Sequence, residues 1–297
     1  MTGSPSIRIV QSFKDIREDQ WNRLSGTSRT DLRKAYNPFI SHAYLSSLEE
    51  SGSAVAQTGW LGQHVLLENA EGQLAGAVPA YAKNHSQGEY VFDHGWAEAF
   101  QRAGGRYYPK LQCSIPFTPA TGPRLLVTPD RDSAVLQTTL ARAIREHADR
   151  HGLSSAHVTF LQEDEQDVLV KDGFLPRLDQ QFHYFNKAYG SYEDFLETLA
   201  SRKRKALRKE RRAAVENGIS IDWLTGRDLT EDIWDQFYAF YMDTGSRKWG
   251  RPYLTRSFYS LIGERMADDI LLVMAKRAGR YIAGAINFIG SDRLFGR

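Results

Sequence analysis

The sequence holds a single cysteine, Cys113, so no internal disulfide can staple it. It also lacks a long apolar run. The longest, around Tyr281 to Gly290, has about half of the roughly 20 residues that a membrane-spanning helix requires. The opening MTGSPSIRIV has neither the charged nor the apolar region of a secretion signal, so a cytoplasmic protein is expected. Charge of one sign is missing as well: 38 basic residues stand against 36 acids, for a net charge of +2. That balance excludes a basic coat for DNA.

Several catalytic signatures are absent too. There is no G-x-S-x-G nucleophile string; Gly152-Leu-Ser154-Ser-Ala156 comes closest, where a helix stops. No G-x-x-x-x-G-K phosphate loop occurs. His147 and His151 lie one turn apart without an accompanying H-E-x-x-H pattern, so they are expected to meet the negative end of a helix, and no metal site is predicted. Gln101 to Arg106, QRAGGR, is near the Q-x-x-G-x-G loop that holds a pyrophosphate, but it lacks the last small residue and runs into Tyr107-Tyr108. No tightly bound cofactor is expected.

What is present is a globular composition, 41% hydrophobic and 12% aromatic, long enough for two domains. Helical and strand patterns alternate, with an amphipathic helix at Ser133 to Arg150 and then strand, helix, strand at Ala156 to Leu161, Asp164 to Lys171 and Gln181 to Asn186, which predicts a mixed α/β (α+β) layer fold. An ordered set of matches indicates internal duplication. Ile7-x-Ile9 recurs as Ile219-x-Ile221, and Glu18-Asp-x-Trp21 as Glu231-Asp-x-Trp234. NPFISHAY from Asn37 recurs as RPYLTRSF from Arg251, and the hairpin LLENAEGQLAGA as LVMAKRAGRYIAGA. The predicted units are residues 1–187 and 188–297. The first continues well past its hairpin, whereas the second stops nine residues after Phe288, so the second unit is expected to be incomplete at Arg297.

Two stretches carry chemistry. Ser201 to Arg212, SRKRKALRKERR, has eight Lys or Arg and one acid, Glu210. On a helix it presents one cationic side, with Arg204, Arg208 and Arg211 suited to phosphates or carboxylates. Its apolar side, with Leu207, is expected to pack into the second unit. Tyr90 to Lys110 is dense in aromatic rings and charges, next to an extended stretch interrupted by Pro116, Pro119 and Pro123. A cleft is expected there, with Asp93 or His94 as base for an amine. Trp96, Tyr107, Tyr108 and Lys110 would line it, and free backbone N–H groups would stabilise an oxyanion.

Longer strings carry a resemblance. Phe92 to Leu126, QFHYFN from Gln181 to Asn186, KWGRPYL from Lys248 and GAINFIGSDRLFGR from Gly284 resemble the Fem-like proteins of the GNAT acyltransferase superfamily, associated with peptidoglycan biosynthesis or recognition. The resemblance implies tandem GNAT-like domains, each a mostly antiparallel sheet flanked by helices. It implies transfer of an acyl or aminoacyl group to an amine, with a small-molecule or muropeptide acceptor. The donor is an aminoacyl-tRNA or an acyl-CoA, so tRNA is a possible partner. Within these strings Thr118, Arg124, His183, Lys248 and Trp249 are expected to contact substrate. The alternatives are an acetyl-CoA-dependent N-acetyltransferase and a non-catalytic protein binding peptidoglycan precursors or RNA.

Overall fold

In a computed structural model of the chain, residues 5–27, 36–128, 132–247 and 251–296 are described. The hairpin at its centre follows from local chemistry. The Asn69 carboxamide oxygen accepts from the amides of Glu71 and Gln73, and Gly72 supplies the positive φ that closes the turn. This joins β3 (His64–Glu68) to β4 (Leu74–Val78). With β1 (Ser6–Val10) and the short β7 (Leu126–Val127) they form an antiparallel sheet in the order β1-β3-β4-β7.

Strand alternation gives that sheet two buried faces. Val65, Leu67 and Val78 meet Leu140 and Ile144 of α4 (Ser133–Arg150). Leu66, Leu74 and Ala77 meet Trp21 of α1 (Glu18–Ser25) and Tyr44 and Leu45 of α2 (His42–Glu50). Helix α2 starts where the Ser41 hydroxyl accepts from the Tyr44 amide, and Gly52, at φ +73°, follows its end.

A second sheet has the order β2-β5-β6-β8, from β2 (Trp60–Gly62), β5 (Ala80–Lys83), β6 (Lys110–Cys113) and β8 (Ala156–Val158). Its β6–β8 pair is parallel and its other pairs are antiparallel. Between β5 and β6 the chain makes α3 (His94–Arg102), and α5 (Glu163–Lys171) follows β8. The second half begins with α6 (Tyr192–Glu197) and α7 (Ser201–Ala214). It then builds an antiparallel sheet in the order β12-β11-β10-β9 from β9 (Ile219–Leu224), β10 (Ile270–Arg277), β11 (Arg280–Ile289) and β12 (Leu294–Gly296). Helices α8 (Glu231–Arg247) and α9 (Arg256–Met266) connect β9 to β10. The fold is mixed α/β, with mostly antiparallel sheets flanked by helices.

One hydrophobic core crosses between the halves. Phe39 packs on Phe288 at 4.9 Å and on Phe295 at 5.0 Å, and Tyr44 on Phe258 at 5.7 Å. Arg265 of α9 reaches Glu50 of α2 at 2.7 Å.

Two expectations are corrected. Gln181 to Asn186 forms no strand, because no neighbouring strand pairs with it, and Phe182 and Phe185 stand exposed. Helix α7 has the predicted cationic side, but it buries none of its residues and Leu207 is only half-buried. Of its apolar residues Ala206 and Leu207 are half-buried, and Ala213 and Ala214 are exposed. The three prolines do interrupt their strand, since β6 ends at Cys113 and the chain regains a sheet only at Leu126.

The shared core predicts that Phe288→Ala lowers unfolding free energy by about 3–5 kcal/mol. Denaturant unfolding should show both halves melting in one transition shifted to lower denaturant. Loss of the second half alone would show that the cores are independent.

Candidate functional site

The site begins with alternation in the second sheet. Ala80, Leu111, Cys113, Ala156 and Val158 turn toward α4. The other face carries Lys83 opposite Lys110, with Trp60 on the far side of Lys83, and Tyr81 opposite Gln112, with His157 beyond. A polar sheet face ordinarily meets water. Here Lys83, Lys110, Tyr81 and Gln112 are each 0% exposed, because residues 84–109 fold across them.

That cover is held by charge. The Lys110 ammonium donates to Asp93 Oδ2 at 2.6 Å, Glu89 Oε2 at 2.8 Å and Ser86 Oγ at 3.0 Å. The Tyr107 hydroxyl donates to the same Asp93 oxygen at 2.8 Å, and Tyr108 bonds Ser86 at 2.7 Å. Two carboxylates around one fully buried ammonium would be costly if any partner were missing. Burial alone would raise the Asp93 carboxyl, but hydrogen bonds from Lys110, Ser86 and Tyr107 hold it below the usual range. For Glu89 burial wins over Lys110 and raises it. Burial, and then the Asp93 carboxylate, push the Tyr107 phenol up. Burial pulls the His157 imidazole down to about 4, aided by Lys110. It also pulls Lys83 down to about 7, with Glu89 opposing. The Lys83 ammonium lies 3.6 Å over the Trp60 ring and donates to the Gln87 carbonyl at 3.2 Å.

A cleft of about 1040 Å³ opens beside this network. Trp60, Ser86, Gly88, Tyr90 and His94 wall it from the first half, and Arg251 and Tyr253 from the second. The Phe117 ring stacks on Tyr253 at 4.9 Å and also lines it. Tyr90 and Phe117 have φ of +57° and +59°, a strained conformation for aromatic residues. The Phe117 amide donates to the Gly88 carbonyl. Gly88, at φ +78°, has no alternative, because a Cβ there would meet the Phe117 ring at 2.5 Å.

The assignment now has both a site and a sequence match. A family model for FemAB-like proteins, described as peptidoglycan biosynthesis/recognition, matches residues 12–297. The chain belongs to the FemAB-like family. No curated protein matches it. Among solved structures it is similar to a conserved protein of unknown function from Bacteroides thetaiotaomicron VPI-5482. That match has 13% identity and a TM-score of 0.47, covering 95% of this chain and 75% of the other. It is also similar to a GCN5-related glucosamine N-acetyltransferase region in a fungal multi-domain GH3 β-N-acetylglucosaminidase, at 14% identity and a TM-score of 0.29. That second match covers 97% of this chain but only 28% of the fungal one.

The FemAB-like chain places its sequence-predicted residues unevenly. Asp93, Tyr107, Tyr108 and Lys110 come together in the buried network, and His94 reaches the cleft. Trp96 is exposed on α3, with the Arg177 guanidinium 5.6 Å from its ring. Thr118 is buried away from the cleft, bonded to the Tyr44 hydroxyl at 3.0 Å. Arg124 is also displaced from its expected role. Its guanidinium is buried and donates to the carbonyls of Ala120, Gly122, Pro123 and Thr159, so it braces the proline-rich connection. His183 is exposed and meets Gln181. Arg208 pairs with Glu193, and Arg211 lies 4.2 Å over Tyr192, while Arg204 is half-buried on the same helix; none lines this cleft. Lys248 and Trp249 lie outside the described residues. Gln101 to Gly105 forms the last turn of α3 and its exit, where a helix is negative and offers no amides to a phosphate.

Sequence reasoning passed over Lys83, Glu89, Trp60 and Tyr253. A signal existed for Lys83, since A-Y-A-K and K-L-Q-C alternate in step and set both lysines on one face.

The folded-state value of Lys83, about 7, lies below its ordinary 10.5. Between those values the unfolded chain holds a proton that the folded chain has released. This residue therefore makes stability rise with pH from about 7 to 10.5. Urea unfolding at stepped pH should show that rise in the natural protein and a flatter profile in Lys83→Met. Parallel profiles would contradict the burial of an ionisable amine there.

Proposed function

We propose that this FemAB-like chain transfers an acyl or aminoacyl group to the amine of a peptidoglycan-precursor acceptor, held in the cleft beside Lys110. The observation that carries this reading is the cleft itself. It is built from both halves, walled by aromatic rings, and backed by a locked charge network instead of a mobile one. Its volume, about 1040 Å³, suits a ligand at the large end of the usual range of small-molecule pockets.

In this mechanism His94, on the cleft wall, takes the proton from the attacking amine. A nitrogen–carbon bond forms at the donor carbonyl while its ester or thioester bond breaks. The proton then passes to the departing oxygen or sulfur. Asp93 acts through the network, because its side chain is fully buried and its Oδ2 already accepts from Lys110 and Tyr107. Positioning of the two reactants supplies most of the rate. An aminoacyl-tRNA is the preferred donor over an acyl-CoA, since Gln101 to Gly105 sits at the wrong end of α3 for a pyrophosphate. A cytoplasmic location fits either donor. The order strand, two helices, hairpin at residues 219–289 recurs at residues 6–78, where the short β2 is added before the hairpin, and this supports reading 1–187 and 188–297 as paired GNAT-like units.

Assays with a muropeptide acceptor and either donor, read by mass spectrometry, test the proposal. His94→Ala should lower kcat by about 10²-fold or more, and Tyr253→Ala should chiefly raise KM. Heat release on binding the muropeptide without product from either donor would favour a recognition protein instead. Full turnover by His94→Ala would remove it as the base.

A further inference from the structure

The cleft wall is one-sided in charge. No aspartate or glutamate lines it, and its three basic side chains are His85, His94 and Arg251. Two of these are imidazoles. Burial, and then the Lys83 ammonium, hold His85 below its usual range, and His94 must be uncharged to take a proton from an amine. A guanidinium keeps its charge throughout. Among the described residues Arg251 is therefore the one permanent cation on the wall, exposed there and without a carboxylate partner.

Three contacts fix the backbone that follows it. Pro252 packs against α8, where a Cβ on Gly245 would meet Pro252 Cγ at 2.4 Å. The Tyr241 hydroxyl of the same helix accepts from the amides of Tyr253 and Leu254 at 2.9 and 3.0 Å. The Tyr253 ring lies flat on Phe117, 4.9 Å away with 13° between the planes. Arg251 thus reaches the cleft from a braced segment, which lowers the ordering cost of binding.

The supply of cations decides which anion fits. A diphosphate carries several charges, and sites for it gather several donors: clustered Arg or Lys, helix N-terminal amides, or a metal ion. A single guanidinium fork matches a single carboxylate, which it takes through parallel hydrogen bonds. We infer that Arg251 binds a free carboxylate of the acceptor, so that the acceptor is a peptide with an unblocked carboxyl group and needs no nucleotide diphosphate. This rests on reading the cleft as the acceptor site, and is independent of which donor is used.

Calorimetric titration of the full chain without any donor tests this. The probes are a nucleotide-free muropeptide, the same muropeptide with its carboxyl groups amidated, and its UDP-linked form. Amidation should weaken binding to the natural chain about tenfold or more, and the UDP-linked form should bind no tighter than the free muropeptide. Arg251→Gln should bind the free and amidated forms alike, with an unchanged circular dichroism spectrum, and Arg251→Lys should keep only part of the preference. Equal affinity of the natural chain for the free and amidated forms, or an undiminished preference in Arg251→Gln, would overturn the inference. So would a gain of about tenfold or more from the UDP group, or no binding of any probe. A carboxylate preference in a chain that forms no transfer product would remove the proposed reaction and leave this inference standing. Product formed from both muropeptides at equal affinity would do the reverse.

Discussion

A lysine ammonium with no access to water must be surrounded by acceptors, and at Lys110 that requirement shapes the first half of the molecule. Its acceptors, Ser86, Glu89 and Asp93, all lie in the segment that leaves β5 and returns at β6. Satisfying Lys110 therefore draws that segment across the polar face of its sheet. The same movement covers Lys83, leaves His157 neutral at ordinary pH and brings Gly88, Tyr90 and His94 to the cleft. An apolar pair in place of these charges would hold such a cover at least as stably. The charges add direction to the cover, since one Asp93 oxygen accepts from both Lys110 and Tyr107.

The opposite wall depends on ordinary packing. Phe39 and Tyr44 interlock with Phe258 and Phe288, and the Ser53 hydroxyl accepts from the Thr255 amide at 3.2 Å. These contacts bring Tyr253 against Phe117 and complete the cleft. The basic helix α7, the most biased stretch of the chain, stands outside this arrangement. Two of its arginines, Arg208 and Arg211, are occupied with Glu193 and Tyr192 of the preceding helix. Local charge density was thus a weaker guide to the cleft than buried charge.

Elements with strong periods were legible in the sequence. Ser133–Arg150, Ser201–Ala214 and Ile219–Leu224 form where the patterns place them, because each carries its own apolar spacing and stops. Asp93, Tyr107, Tyr108 and Lys110 were legible as a group, since they fall within one aromatic stretch. Their actual arrangement was not, because it depends on the register that places Lys83 opposite Lys110. Arg124 misled for a related reason: four carbonyls gathered by a proline-rich turn satisfy its guanidinium, and carbonyl positions leave no mark in the sequence. The Gln181 to Asn186 pattern promised a strand, but a strand also needs an open edge beside it.

The central claim is that the Lys110 network holds residues 84–109 in place as a cleft wall. Amide hydrogen exchange on Lys110→Met tests it most directly. The account predicts faster exchange across residues 86–107 with unchanged protection in β9 to β11. Equal exchange in the two proteins across 86–107 would contradict it, and would leave the aromatic packing around Trp60 and Phe117 as what holds the wall.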